Sequence, residues 1–319
     1  MLFHTHIIVD WSAKSKPSRA TPEGNAIWWA VARVDGDGVA VCEPEYARTR
    51  HCALQRLARL IAEELDSGRR LLVGFDFPFG YPKGVAARLT GEACALTLWD
   101  WLAERIKDEP DNSIKDEPDN NNNRFDVAAE INAAYPGCGP CWGRPPGANP
   151  TVPLLKSERT ERGSHPCEHR VADEYAKNAK TVWQLFGAGS VGSQVLLGLP
   201  ALKRLIKAPG IARRAAVWPF QTGLRKPEAR AVIAEVYPSL LKKQIDERMR
   251  EQDEQEIVDR VQVRVNAEAF ARLDAGGGLA PLFCGAPWLT QDQRTVIETE
   301  EGWILGLGHE EALAGALES

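Results

Sequence analysis

Two short apolar segments that each end in an aspartate constrain this chain most strongly. Residues 6–13 read HIIVDWSA, and residues 69–82 read RRLLVGFDFPFGYP. Apolar runs of this length predict strands buried on both faces, which here would end at Asp10 and Asp76. A buried carboxylate is costly unless a cation or hydrogen bonds compensate it. Two such strands therefore predict a shared metal or acid/base site, although Asp76 could instead cap the following turn.

The composition narrows the function classes. The chain has 319 residues, of which 44% are apolar and 26% charged, as in ordinary globular proteins. Its net charge of −5 supplies no general basic field for nucleic acid or membranes. No signal peptide and no apolar run of about 20 residues is present, so we expect no membrane association. Seven cysteines at irregular spacing favour the reducing cytoplasm over a disulfide framework.

Hydrophobic patterning predicts the remaining elements. The turn signal at residues 35–38, Asp-Gly-Asp-Gly, joins two strands into a hairpin. The resulting order β-β-β-α-β, with acids on the first and fourth strands, limits the choice of folds. We predict further strands at 25–36, 38–49, 215–220 and 229–238, and helices at 51–69, 93–106, 124–135 and 253–278.

Residues 81–210 differ from their surroundings, because they are rich in helix and loop signals and contain no convincing sheet strand. Within them the heptapeptide Ile-Lys-Asp-Glu-Pro-Asp-Asn occurs twice, at 106–112 and 114–120. An acidic, proline- and asparagine-rich repeat has too little apolar surface to fold. The sequence therefore predicts a helical insertion with a mobile acidic loop at 106–123.

Two further acids extend the candidate site. Glu235 lies near the end of an apolar strand, and Asp259 lies on one stripe of the long C-terminal helix. Four carboxylates in one pocket repel one another unless divalent cations neutralise them, and oxygen ligands favour Mg²⁺ or Mn²⁺. Two such ions about 3.5–4 Å apart activate water and stabilise the leaving oxygen in phosphodiester hydrolysis.

Several segments carry a resemblance to a known family. They are IIVDWSA, LLVGFDFPFGYP, NNRFDVAAEIN, TVWQLFGAGSVGSQVLLGLPAL, VWPF, AEVYPSL and EEGWILG. Together, over roughly residues 6–308, they resemble a bacterial domain-of-unknown-function family of predicted RNase H-fold nucleases. Some members of this family carry a label for molybdopterin guanine dinucleotide synthesis. The resemblance places the family's acids on Asp10, Asp76 and Glu235, and we assign Asp259 to the acid of its last helix.

The resemblance implies an α/β fold with an RNase H-like mixed sheet, in which three antiparallel strands are followed by parallel strands. Residues 1–80 and 211–319 would form this core. Residues 81–210 would form a large helical and loop insertion that caps the C-terminal strand edge.

The expected function is that of a divalent-metal-dependent nuclease or phosphodiesterase that uses Mg²⁺ or Mn²⁺ on a nucleic acid or nucleotide. Asp10 would bridge two metal ions, Asp76 and Glu235 would each bind one, and Asp259 would complete the second site. The basic stretch 203–230 is either a phosphate-contacting rim or a solvated face. The expected substrate contacts are Ser12, Ser190, Ser193, Gln194, Arg225 and Lys226.

Two other functions remain open from the sequence. One is a nucleotide-binding phosphotransferase, and the other is a non-catalytic binding protein whose acids are vestigial. Neither RNA, DNA, a junction nor a small nucleotide is singled out as substrate, and the label related to molybdopterin has no residue-level support.

Competing motifs are weaker. Gly187-x-Gly189-x-x-Gly192 matches a dinucleotide fingerprint, but the acid expected about 20 residues later is missing, so we predict a tight loop near the site. Cys138 and Cys141 could form a zinc set with Cys167 and His169, although incidental loop cysteines are the default. Trp11 and Trp142 are candidates for stacking a base.

Overall fold

A computed structural model describes residues 1–36, 38–108, 119–146, 165–252 and 255–318. Seven strands in these ranges form one mixed sheet. They are β1 (Thr5–Asp10), β2 (Ile27–Asp35), β3 (Gly38–Val41), β4 (Glu45–Ala47), β5 (Leu71–Phe75), β6 (Ala215–Val217) and β7 (Ala231–Glu235). The segment predicted as one strand at 38–49 is divided in two, because Pro44 cannot donate to the ladder.

The strand order is β3-β2-β1-β5-β7-β6, with β4 pairing beside β3 on β2. β2 pairs antiparallel with β1, β3 and β4, whereas β1, β5, β7 and β6 run parallel to one another. The prediction of an α/β fold with antiparallel strands followed by parallel strands is therefore confirmed. The register pairs Val9 with Phe75 and Phe75 with Glu235, so the carboxyl ends of β1, β5 and β7 meet at one sheet edge.

Helices cover both faces of the sheet. None of those in the described ranges is both long and apolar enough to cross a membrane. The bounds are α1 (Arg50–Asp66), α2 (Val85–Thr90), α3 (Ala95–Arg105), α4 (Arg124–Ala133), α5 (Val171–Tyr175), α6 (Val191–Lys207), α7 (Lys242–Arg250), α8 (Val258–Ala275), α9 (Gln291–Val296) and α10 (Glu310–Glu318).

Two hydrophobic clusters pack against the sheet, one on each face. Because side chains alternate along a strand, Ile8 and Leu72 join the cluster that contains α8, whereas Val9 and Val73 join the cluster that contains α1, α3 and α6. Helices from the predicted insertion thus share a core with the central strands. The boundaries of that insertion remain a prediction.

The ends of the acidic repeat are fixed to the start of α1. The Arg50 guanidinium donates to both carboxylate oxygens of Asp108, at 2.7 and 2.6 Å, and to the carbonyl of Asn120 at 2.8 Å. All three residues are buried. The middle of the predicted mobile loop, residues 109–118, lies outside the described residues.

Candidate active site

The carboxyl ends of β1 and β5 place Asp10 and Asp76 side by side. Alternation along each strand directs both side chains to the face covered by α8, as for Ile8 and Leu72 before them. A side-chain hydrogen bond joins the two carboxyl groups. The backbone N–H of Trp11 donates to Asp76 Oδ1 at 2.8 Å and fixes that carboxyl group at the strand end. The neighbourhood predicted from two apolar segments 66 residues apart is thus present.

Asp259 is the third acid of this site and lies in the first turn of α8. Its Oδ2 accepts the backbone N–H of Asn25 at 2.5 Å, which ties the helix to the loop between β1 and β2. The charge of Asp259 raises the pKa of both Asp10 and Asp76, so the three carboxyl groups act on one another.

Burial dominates the electrostatics of this group. It raises the pKa of Asp10 well above its ordinary value, and the neighbouring charge of Asp76 raises it further. Burial also raises the pKa of Asp76 to about 7, against the opposing effect of the Trp11 N–H, and raises the pKa of Asp259. Near neutral pH the Asp10–Asp76 pair therefore retains a proton unless a cation takes its place.

The three acids line a cleft of about 520 Å³. Its walls come from the loop after β1, the residues between 185 and 194 that lead into α6, and the segment after β7. Three cationic side chains also line it, namely Lys14, Arg124 and Lys180. The cleft thus combines carboxylates, which suit a divalent ion, with cations, which suit a phosphate.

Arg124 is the most deeply buried of these cations, with 7% of its surface exposed. Its Nε donates to Ser193 Oγ at 2.9 Å, and its Nη1 donates to Ser15 Oγ and Asn122 Oδ1. All three acceptors are neutral, and burial together with the nearby Arg50 charge lowers the pKa of Arg124 to about 10. Among the described residues it forms no ion pair, so its charge is available to an anion in the cleft.

The predicted polar contacts Ser12, Ser190, Ser193 and Gln194 all line the cleft. Three of them are bound to the backbone of its walls: Ser12 Oγ donates to the Asn25 carbonyl, Ser193 Oγ to the Leu185 carbonyl and Gln194 Nε2 to the Trp11 carbonyl. These side chains brace the cleft, and their contact with substrate stays a prediction.

Glu235 is not part of this cleft. Glu235 directly precedes Val236, which faces α8, so alternation along the strand directs its side chain to the other face of the sheet. Ile233, two positions earlier, lies on that same face. There both of its oxygens accept from Arg170, at 2.7 and 2.8 Å, and one also accepts the N–H of Phe79. Arg170 is fully buried. The role expected for Glu235 as a metal ligand does not fit this geometry, since a cation already occupies its carboxylate.

Arg225 and Lys226 are also remote from the acids. They line a separate depression of about 380 Å³ with Glu228 and the residues before β7. Arg70, just before β5, donates to the Pro227 carbonyl, which places this segment at the amino-terminal edge of the parallel strands. The acids lie at the opposite edge, so the expected basic rim does not border the cleft.

The structure also bears on the base-stacking hypothesis for Trp11 and on the zinc hypothesis for Cys138 and Cys141. Trp11 is 1% exposed and packs against Phe75 and Phe77, so its ring faces offer no stacking surface. Within the described ranges no group of three or more His, Cys, Asp or Glu side chains is arranged to hold a metal ion. The zinc set suggested for Cys138 and Cys141 is therefore not formed there.

The acid pair nevertheless fits one kind of metal binding. Mg²⁺ is commonly held by one or two carboxylates, with water and substrate phosphates supplying the remaining ligands. Burial and the neighbouring charges of Asp76 and Asp259 raise the pKa of Asp10, so a cation at this position would relieve the repulsion between the carboxylates. The donor set suits Mg²⁺ or Mn²⁺ bound together with a phosphate, and does not form a closed cage for the ion alone.

Comparisons of the chain with protein-family models, with curated proteins and with solved structures gave no match. The functional argument therefore depends on the geometry of the cleft. Sequence reasoning missed its cations Lys14, Arg124 and Lys180; only Arg124 stood in a segment already singled out, NNRFDVAAEIN.

Proposed function

We propose that this protein is a divalent-metal-dependent phosphodiesterase with an RNase H-like fold, acting on a nucleic acid or nucleotide in the cytoplasm. The observation that carries the proposal is the meeting of Asp10, Asp76 and Asp259 in one cleft with three cations. The strand order, with acids at the carboxyl ends of adjacent central strands, supports the fold assignment. No disulfide joins the seven cysteines, all of which lie in the described ranges, and this suits a reducing compartment.

In this proposal Asp10 and Asp76 hold Mg²⁺ or Mn²⁺. An ion held by these two carboxylates would supply Lewis-acid catalysis at this position. The Trp11 N–H holds Asp76 in position, and Asp259, tied to Asn25, completes the negative end of the cleft.

The cations serve the substrate. Arg124 is held by neutral acceptors and keeps its full charge for a phosphate oxygen, which a buried guanidinium binds through directed N–H donors. Lys180 and Lys14 add positive charge to the same cleft, although Lys14 shares its charge with Glu23 at 2.8 Å. These side chains orient the diester and offset the charge that develops on it.

Hydrolysis of a phosphodiester in the presence of Mg²⁺ or Mn²⁺ tests the proposal. We expect wild-type protein to hydrolyse a generic diester, and Asp76→Asn to lose at least about 100-fold in rate, since even indirect partners of a metal cost 10–100-fold. Asp246→Asn is the matched control, because Asp246 is on the surface and its ion-pair partner among the described residues is the exposed Lys242. Full activity of Asp76→Asn would overturn the proposal.

The second candidate is a non-catalytic binding protein. It is favoured by the lack of a three-ligand metal group among the described residues. In that case the Asp10–Asp76 pair shares a proton permanently, and neither ion raises the melting temperature of the wild type. Binding to the folded state alone raises that temperature by mass action, so a rise with Mg²⁺ that Asp76→Asn abolishes argues against this candidate.

A further inference from the structure

One large aromatic side chain is exposed in the wall of the cleft. Phe186 is 46% exposed and lines the cleft with the acids and the cations. By contrast Phe75, Phe77 and Phe79 are buried in the core. A single exposed apolar side chain is ordinary on a surface, so its position beside charged groups, rather than its exposure, is the informative observation.

The loop that carries Phe186 is braced. Gln184 Nε2 donates to the carbonyls of Phe186 and Ala188, at 3.3 and 3.0 Å. Gly187 and Gly189 adopt left-handed backbone with φ of 99° and 78°, which side chains with a Cβ rarely tolerate. The ring is therefore presented by a tight, internally bonded turn, and little conformational entropy is lost when a ligand contacts it.

Hydrogen bonds connect this turn to the buried cation. Arg124 Nε donates to Ser193 Oγ at 2.9 Å, and Ser193 Oγ donates at 2.5 Å to the carbonyl of Leu185, the residue before Phe186. A guanidinium that can bind phosphate is thus tied to the turn that carries a ring able to stack, and both line the cleft. The acids lie elsewhere in the same cleft.

We propose that Phe186 stacks on an unpaired nucleobase whose phosphate lies between Arg124 and the acids. This inference rests on the proposed function and specifies its substrate as a phosphodiester that carries an unpaired base, either a small nucleotide diester or a single strand. Bases inside a duplex are already stacked on both faces, so only an unpaired base can cover the ring. The cleft volume of about 520 Å³ lies in the range of small-ligand sites.

Calorimetric binding in the presence of Mg²⁺ tests the stacking. Adenosine 5′-monophosphate is compared with ribose 5-phosphate, which has the same sugar and phosphate but no base; neither contains a diester to hydrolyse. We expect wild-type protein to bind the nucleotide about tenfold or more tightly, as base–aromatic stacking predicts. Phe186→Ala should lose this preference, and Phe186→Tyr should retain it.

Trp288→Ala is the control, since Trp288 is 50% exposed but lies outside the cleft, and it should leave the preference unchanged. Equal affinity of wild type for the two ligands, or a preference that persists in Phe186→Ala, overturns the inference. In competition with the nucleotide, an unpaired oligonucleotide should displace it and the corresponding duplex should not. Displacement by both with equal affinity also overturns it.

The two proposals fail in different ways. Base-dependent binding through Phe186 without hydrolysis of any diester would contradict the phosphodiesterase and leave the nucleotide site standing. Metal-dependent diester hydrolysis without a base preference would support the phosphodiesterase and contradict the nucleotide site.

Discussion

At the scale of single residues, the acids of this protein differ in what compensates their charge. Glu235 is buried against the guanidinium of Arg170. Asp10 and Asp76, in contrast, form no ion pair with a cation in the described ranges; a side-chain hydrogen bond joins the two carboxyl groups, and the Trp11 N–H donates to Asp76. A carboxylate that is paired with a cation of the protein has a structural role, whereas a buried carboxylate pair without such a partner is a candidate ligand-binding site.

This difference predicts that Asp76→Asn stabilises the protein in the absence of divalent metal. Burial raises the pKa of Asp76 from its ordinary value of 3.8 to about 7 in the folded state. Between these values the folded protein keeps a proton that the unfolded chain has lost, so stability falls as pH rises through this window and stays low above it. We expect Asp76→Asn to melt above wild type at pH 8.

Thermal denaturation from pH 4 to pH 8, without metal, measures this effect. The fall in melting temperature should be smaller for Asp76→Asn than for wild type, and the surface variant Asp246→Asn should follow wild type. An Asp76→Asn variant that melts below wild type at pH 8 would show that the carboxylate is stabilising, contrary to the raised pKa.

At the scale of elements, a buried ion-pair network joins α5 to the sheet. Arg170, at the start of α5, binds Asp173 in the same helix and Glu235 at the end of β7, and donates to the Glu301 carbonyl at 2.9 Å. Removing the cation would leave two buried carboxylates without compensation. The network therefore attaches a helix of the predicted insertion to the carboxyl edge of the sheet.

We expect Arg170→Leu to lower the free energy of unfolding by about 3–5 kcal/mol, measured by urea denaturation, since breaking a buried ion pair leaves uncompensated charge. The variant Glu235→Gln tests whether Glu235 has a structural role or a metal-binding role. It should weaken the fold but keep any Mg²⁺-dependent rise in melting temperature, because Glu235 is remote from the cleft. A loss of the metal response in Glu235→Gln would restore Glu235 to the metal site.

The packing of α6 on the sheet requires a glycine. A Cβ at Gly198 would lie 2.4 Å from the ring of Phe77, which is buried between Phe75 and Phe79. We expect Gly198→Ala to cost about 1–3 kcal/mol through overpacking. Gly315, in α10, has nothing within 4 Å of such a Cβ, so Gly315→Ala should instead stabilise by about 0.5–1 kcal/mol. Urea denaturation measures the free energy of unfolding of both variants. Because both positions are helical, the difference between the two changes gives the steric cost of a Cβ at position 198.

At the scale of the whole molecule, one sheet separates two cores, and each core needs helices from distant parts of the chain. Val73 and Phe75 pack in the cluster that includes Leu98 and Leu196 from the predicted insertion, whereas Leu72 packs in the cluster of α8. Neither set of helices covers both faces of the central strands.

We therefore expect a chain in which a short linker replaces residues 81–210 to lose its cooperative unfolding, because α3 and α6 would no longer cover their part of one sheet face and α1 alone would leave that part exposed to water. Near-UV circular dichroism during heating measures this, since tryptophans such as Trp29 and Trp218 report on fixed packing. The full chain should show one transition. A sharp transition in the shortened chain would mean that 1–80 and 211–319 fold independently of the insertion.

Much of the fold could be predicted from the sequence because it depends on local patterns. Alternation and apolar runs identify β1 and β5 and place Asp10 and Asp76 at their ends, and helical periodicity places Asp259 on α8. These are properties of a few neighbouring residues, and the parallel strands then bring the two aspartates together at one edge.

The rest was decided by tertiary structure. The register of β7 beside β5 determines the face of the sheet on which Glu235 lies. Arg170 contacts Glu235 there because α5, whose start is 65 residues away in the chain, packs against that face. Arg124 and Phe186 line the cleft because tertiary contacts join distant segments there: Arg124 bonds to Ser15 in the loop after β1, and Gln194 of α6 bonds to the Trp11 carbonyl. Local patterns determine which elements form and where their polar ends lie. The side chains that surround those ends come from distant segments. The packing of those segments depends on contacts that no local pattern contains.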